Sequence, residues 1–189
     1  MKMQEIELKA HVYDSEAVIN KLSGFAEYAG FVNRYDTYYK QGEGKTYPIR
    51  IRKEKDDNSE KIFLTYKRKS IVKDEEGMAI EKNEEYESEI KEDTLVVIEK
   101  FFEDNGFRIY LTKEKKVKTW KTVKDGFRVT IELCEVERLG EFLELEILAE
   151  NDESEKAYSA LESVLEEAGI EKSAVEEKSY AQMLKNASN

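Results

Sequence analysis

Cysteine, proline and histidine are almost missing from this 189-residue chain, which has one of each: Cys134, Pro48 and His11. One cysteine excludes an intrachain disulfide and suits a reducing compartment. A lone histidine leaves no histidine metal cluster and no partner for a nucleophilic dyad. With one proline and no Gly/Ser/Pro-rich stretch, nothing reads as a linker, and a single domain over residues 1–189 is expected. No apolar run has the length of a signal peptide or a membrane span, so the expectation is a cytoplasmic protein with no membrane partner. Basic residues are also outnumbered, 31 against 42 acidic, for a net charge of −11. That balance argues against a nucleic-acid surface but not against an anion held by interior bases. The one glycine-containing turn that invites a phosphate loop, Gln41–Lys45, lacks the spacing and the Lys-Ser/Thr ending.

What the chain has is alternation. Glu5, Glu7 and Lys9 are interleaved with Ile6, Leu8 and Ala10, so a β-strand here is charged on one face and apolar on the other. Similar writing predicts strands at 3–12, 31–40, 47–54, 61–69, 79–90, 107–122, 127–136 and 141–149. Asp14 is placed to cap a helix carrying Val18, Leu22 and Phe25. A second helix follows residue 90, with Leu95, Val96, Ile98, Phe101 and Phe102 expected on its buried side and Asn105-Gly106 at its end. Helices are also predicted near 153–168 and 180–186. Asp74–Gly77 reads as a hairpin end, and Lys124-Asp125-Gly126 as a hairpin turn. Short connections between most strands favour an antiparallel sheet in an α+β fold.

The charged faces carry the acids Glu5, Glu7, Glu85, Glu87, Glu132, Glu144 and Glu146. They also carry the bases Lys9, Arg50, Arg52, Lys67, Lys116, Lys118 and Arg128. An open sheet with one solvated face accommodates them, as does an eight-stranded antiparallel closed barrel with the charges inside and the helices packed outside. The second arrangement needs the charges paired, hydrated or liganded. Clustered carboxylates suit hard cations such as Mg²⁺ or Mn²⁺, and clustered Arg and Lys suit phosphate oxygens. Together they describe a site for a metal-chelated polyphosphate.

These residues carry a resemblance to the CYTH superfamily, the triphosphate tunnel metalloenzymes, which includes class IV adenylate cyclases and thiamine and inorganic triphosphatases. Glu5, Glu7 and Lys9 match its opening E-x-E-x-K, Asp36 to Tyr39 its D-x-Y-Y/F strand, Arg50 and Arg52 its R-x-R. Leu64 to Lys67, Glu85 with Glu87, Glu135 to Glu146, and Ser179 to Leu184 match later family motifs in order.

The resemblance implies a closed tunnel that hydrolyses an inorganic or organic triphosphate with Mg²⁺ or Mn²⁺. In it, Glu5, Glu7, Glu144 and Glu146 hold a metal, with Glu132, Glu85 or Glu87 as candidates for a second. Lys9, Arg50, Arg52, Lys67, Lys116, Lys118 and Arg128 hold the phosphates, and Lys9, Glu85 and Glu87 are the catalytic candidates. The alternatives are a class IV adenylate cyclase, making cyclic AMP and pyrophosphate from ATP, and a non-catalytic polyphosphate-binding module. Oligomeric state is open, with a homodimer as one candidate. Three departures stand out. Cys134 occupies a position where the family often has Asp. Asn83 stands where it often has Arg. The 113–120 stretch has Lys as its only basic residue type where the family usually carries Lys and Arg; parity selects Lys116 and Lys118, and a bulge would select Lys115.

Overall fold

A computed structural model describes residues 3–42, 49–73 and 79–186, apart from the side chains at 67–73, 79–85 and 151. The expected features at Glu43–Lys45, Tyr47-Pro48 and Asp74–Gly77 lie outside the described residues. So do the side chains of Lys67 and Glu85. Among the described residues, the fold is α+β, with an eight-stranded antiparallel sheet and four α-helices. The strands are β1 (Met3–Val12), β2 (Glu27–Gln41), β3 (Ile49–Lys55), β4 (Glu60–Lys73), β5 (Ala79–Ile90), β6 (Phe107–Lys124), β7 (Phe127–Val136) and β8 (Gly140–Glu150). The helices are α1 (Ser15–Phe25), α2 (Glu92–Asp104), α3 (Ser154–Glu167) and α4 (Tyr180–Asn186). None of the described helices is long and apolar enough to cross a membrane.

The chain divides into two compact units. The first is Met1–Phe31, Lys69–Asn83 and Val117–Asn189; the second is Val32–Arg68 and Glu84–Lys116. Strands β2, β4, β5 and β6 each contribute residues to both.

In the first unit β8 lies between β7 and β1, antiparallel to each. Its register aligns Leu145 with Leu8 and Ile131, and Ile147 with Ile6 and Val129. Because side chains alternate, these residues share one face, and they form a core with Val18 and Leu22 of α1 and Leu161, Val164 and Leu165 of α3. Asp14 caps α1 by accepting a hydrogen bond from the Ala17 N–H at 3.0 Å. Between β7 and β6 the expected hairpin turn has Asp125 and Gly126 both at positive φ, 49° and 85°, as a tight hairpin requires.

In the second unit β3 lies between β2 and β4. Ile51, Ile62 and Tyr39 pack against Leu95 and Phe102 of α2. Here the expectation for α2 is corrected. Leu95 and Phe102 are buried and Ile98 packs against them, but Val96 and Phe101 are 61% and 56% exposed. The helix covers the sheet with a narrow stripe, and its apolar residues outnumber the positions that stripe offers.

Leu145 has no exposed surface and sits mid-strand in the larger core. Leu145→Ala is expected to cost about 3 kcal/mol of unfolding free energy, the usual toll of a large-to-small change in a packed core. Urea denaturation measures it, and an unchanged midpoint would contradict this placement.

Candidate functional site

The face of the first unit opposite its apolar core collects carboxylates, and the register explains why. Glu7 of β1 pairs directly with Glu146 of β8, and Lys9 with Glu144. On the other side of β8, Glu144 pairs with Glu132 of β7, and Glu146 with Thr130. Acids on alternate positions of neighbouring strands therefore meet. They form two groups. One oxygen from each of Glu5, Glu7 and Glu146 lies within 4.8 Å of the others; so do one ligand atom each of Glu132, Cys134 and Glu144. The first group is half-buried and the second buried. Burial, together with the charges of Glu5, Glu132, Glu7 and Glu144, pushes the Glu146 carboxyl well above the usual carboxylate range.

The donor chemistry of the first group fits a hard divalent cation. Oxygens around an octahedral ion at roughly 2.1 Å stand about 3.0–4.2 Å apart, and these oxygens can adopt that spacing. The second group mixes oxygen with sulfur. Cys134, with no exposed surface, donates its S–H to Glu144 Oε2 at 3.3 Å. It thus has a carboxylate neighbour that nothing in the sequence indicated. The expected division of ligands also changes: Glu144 groups with Glu132 and Cys134, while Glu146 joins Glu5 and Glu7.

Lys9 is buried beside these acids. Its ammonium donates to the Lys178 carbonyl at 2.6 Å and sits 4.7 Å from the centre of the Tyr180 ring. The segment before α4 is tied down there, the Glu176 N–H donating to the Lys9 carbonyl at 2.8 Å. Burial and then the nearby Glu144 and Cys134 push the Tyr180 phenol well above its usual value. His11 Nε2 lies 3.3 Å from Glu176 Oε2, a contact with a carboxylate and not with a nucleophile. Working against burial, the Lys178 N–H and His11 hold that carboxyl below its usual value.

The second unit collects bases, several of them matched to acids. In the β2–β3 register Arg34 faces Glu54, Asp36 faces Arg52 and Tyr38 faces Arg50. Arg34 Nε donates to Glu54 at 2.6 Å. Asp36, entirely buried, accepts from Arg52 Nε at 2.7 Å and Nη2 at 3.0 Å, and Lys113 Nζ lies 3.1 Å from it. Burial alone would raise the Asp36 carboxyl; Lys113 and Arg52 outweigh it and hold the group well below its usual value. On the next row Arg50 Nη2 donates to Glu87 at 3.2 Å and to Thr65 at 3.1 Å, and the Thr65 hydroxyl donates to Glu87 at 2.8 Å.

Three of the bases expected in the site are exposed. Lys116 and Lys118, chosen by parity, are exposed, whereas Lys113 and Lys115 are buried on the opposite parity, which they share with buried Val117. Parity favours Lys116 and Lys118 and a bulge would select Lys115; it is Lys115 that is buried, while Lys116 and Lys118 are open to solvent. Trp120, on their parity, belongs to the apolar core with α1 and α3. Arg128 keeps its expected parity with Thr130 and Glu132 but is exposed near the start of β7. Asp36 and Lys113 were not selected from the sequence as site residues. The match of Asp36 to Tyr39 to the family's D-x-Y-Y/F strand was the signal that could have found Asp36.

The chain matches the CYTH domain over residues 3–180 and belongs to that family. Among solved structures it is similar to the PH1819 protein from Pyrococcus horikoshii OT3, with 31% identity, a TM-score of 0.76, and coverage of 96% of this chain and 98% of that one. The PH1012 protein of the same organism matches at 26% identity and a TM-score of 0.73, over 94% and 98% of the two chains. HpAC1 from Hippeastrum, described as a candidate adenylyl cyclase with a dominant triphosphatase activity, shares the fold at 18% identity and a TM-score of 0.68, over 98% and 96%. No curated protein matches this chain.

Glu146 yields a stability prediction. A carboxyl raised in the folded state binds its proton more tightly there than in the unfolded chain, where the usual value is 4.5. Its contribution is therefore favourable below that value and is lost as pH rises through the folded one. In EDTA, wild-type stability should fall as pH rises from about 4.5, and Glu146→Gln should flatten that fall. At pH 8 the variant should be more stable by on the order of 1 kcal/mol. Thermal melts across pH check it; a variant less stable at pH 8 would contradict the mutual repulsion of these acids.

Proposed function

We propose that this protein hydrolyses triphosphates in a metal-dependent reaction within one CYTH domain spanning residues 1–189. The reading includes the closed, charged tunnel that the family resemblance implies. The observation that carries it is the Glu5–Glu7–Glu146 carboxylate group, three oxygen donors gathered by strand register on a face that gives them no apolar packing role. A relative of the same fold with dominant triphosphatase activity supports it.

Glu5, Glu7 and Glu146 would hold Mg²⁺ or Mn²⁺, which would supply positive charge against the phosphate oxygens, and Glu132, Cys134 and Glu144 are the candidates for a second ion. The chain's own bases do the rest of the binding. Arg52 and Arg50 present guanidinium N–H groups suited to bidentate contact with phosphate oxygens, and Lys113 and Lys115 add ammonium charge. Lys67, whose side chain lies outside the described residues, joins this set by the family resemblance alone. Glu87 orients Arg50, since its carboxylate already accepts hydrogen bonds from Arg50 and Thr65. Lys9, anchored by the Lys178 carbonyl and the Tyr180 ring, is held to orient the attacking water. In the reaction water forms a bond to the terminal phosphorus, the P–O bond to the diphosphate breaks, and the water proton passes to solvent. Because loose phosphoryl transfer leaves little covalent work for the protein, positioning and charge supply most of the catalysis.

Glu5→Gln, Glu7→Gln and Glu146→Gln should each lower Mg²⁺- or Mn²⁺-dependent turnover at least tenfold, about 1.4 kcal/mol or more of transition-state stabilisation. Wild-type rates in all three variants would reject the assignment. Tripolyphosphate should be hydrolysed faster than ATP, because the charged groups recognise phosphate and no described group is committed to a base. Chromatography of products after incubation with ATP and Mn²⁺ distinguishes the alternatives. Cyclic AMP with pyrophosphate as main products would promote the cyclase. Tight tripolyphosphate binding without turnover would promote the binding module.

A further inference from the structure

The basic face of the second unit is organised around one acid that has no assigned task. Asp36 is fully buried, and a buried carboxylate is costly unless its charge and lone pairs are matched. Its two oxygens receive Arg52 through two nitrogens, at 2.7 and 3.0 Å, and Lys113 lies 3.1 Å from Oδ2. The Tyr38 hydroxyl donates to the same oxygen at 3.4 Å. A two-point contact fixes both the place and the plane of a guanidinium, which a single hydrogen bond does not. Asp36 takes two of the five N–H donors of Arg52, and on the far side Nη1 stands 3.7 Å from Glu54 Oε1, beyond a hydrogen bond. Donors therefore remain for an oxyanion, on a group whose orientation is already set. Lys113 is an unbranched ammonium with no preferred plane, and the same carboxylate gives it a fixed direction.

We propose that Asp36 is a positioning residue that holds Arg52 and Lys113 as a rigid pair of cations for one phosphoryl group of the substrate, while touching no substrate itself. The inference rests on the triphosphatase reading and adds to it. Like charges held side by side would otherwise repel, and flexible side chains would otherwise lose entropy on binding; a fixed counter-charge beneath both removes those costs in advance.

Asp36→Asn keeps the shape and removes the charge. On folded protein, kcat for tripolyphosphate should fall at least tenfold. KM should change less than threefold, because the freed positive charge still attracts the anion. A purely structural Asp36 would lower the melting temperature and leave kcat per folded molecule unchanged, and kcat within twofold of wild type overturns the proposal. A second measurement needs no variant of Asp36. In wild-type protein the Arg52 Nε–H resonance, assigned by its loss in Arg52→Lys, should be sharp and protected from exchange with water. It should stay so when tripolyphosphate is added. Exposure of that N–H to exchange on addition would show that substrate displaces Asp36, and would overturn the proposal even if Asp36→Asn fails to fold. Wild-type protein that neither binds nor hydrolyses tripolyphosphate would overturn the triphosphatase reading as well. Hydrolysis with Asp36→Asn unaffected would overturn the positioning role alone.

Discussion

The constraint on which the structure turns is the register of β8 between β1 and β7. Antiparallel pairing places Glu146 against Glu7 and Glu144 against Glu132. The same pairing places Leu145 between Leu8 and Ile131. One alignment therefore does two things that pull in opposite directions. It assembles the apolar core, and it drives carboxylates together at an electrostatic cost visible in the raised Glu146 carboxyl. A one-residue slip would relieve the acids and bury them in the core, so the apolar face holds the acidic one in place.

The two units solve the problem of concentrated charge differently. In the second, opposite charges face each other across β2 and β3, as Arg34 with Glu54 and Asp36 with Arg52, and the bases are held without a ligand. In the first, five glutamates gather in two groups, with Lys9 across the register from Glu144. Oxygen donors gathered that way match what a hard divalent cation takes. Strand register gathers them, and that gathering supports the cation site proposed above.

Much of this was legible from residue order. Alternation fixed β1, β7 and β8 and the parity of Glu5, Glu7, Glu132, Glu144 and Glu146, because a strand with one apolar face has a single stable orientation. Asp14 and Asp125-Gly126 marked a helix start and a hairpin through local chemistry alone. What failed depended on tertiary cover. In β6, lysines occur at both parities, and which side is interior is decided by what packs on each face; Lys113 and Lys115 are buried and Lys116 and Lys118 are not. The apolar count of α2 said nothing about the width of its contact, which left Val96 and Phe101 outside. The partners of Cys134 and His11, at Glu144 and Glu176, are separated from them by 10 and 165 positions, beyond the reach of any local pattern.

The central claim, proposed above, is that the Glu5, Glu7 and Glu146 carboxylates make a cation site that serves a polyphosphate substrate. Mn²⁺ titration followed by electron paramagnetic resonance tests it most directly, since the sharp signal of the hydrated ion is lost on binding. The account predicts saturable loss of that signal in the protein alone, with tighter binding in the presence of tripolyphosphate than either component achieves by itself. A signal unchanged by protein, or quenched equally in wild type and Glu7→Gln, would contradict it.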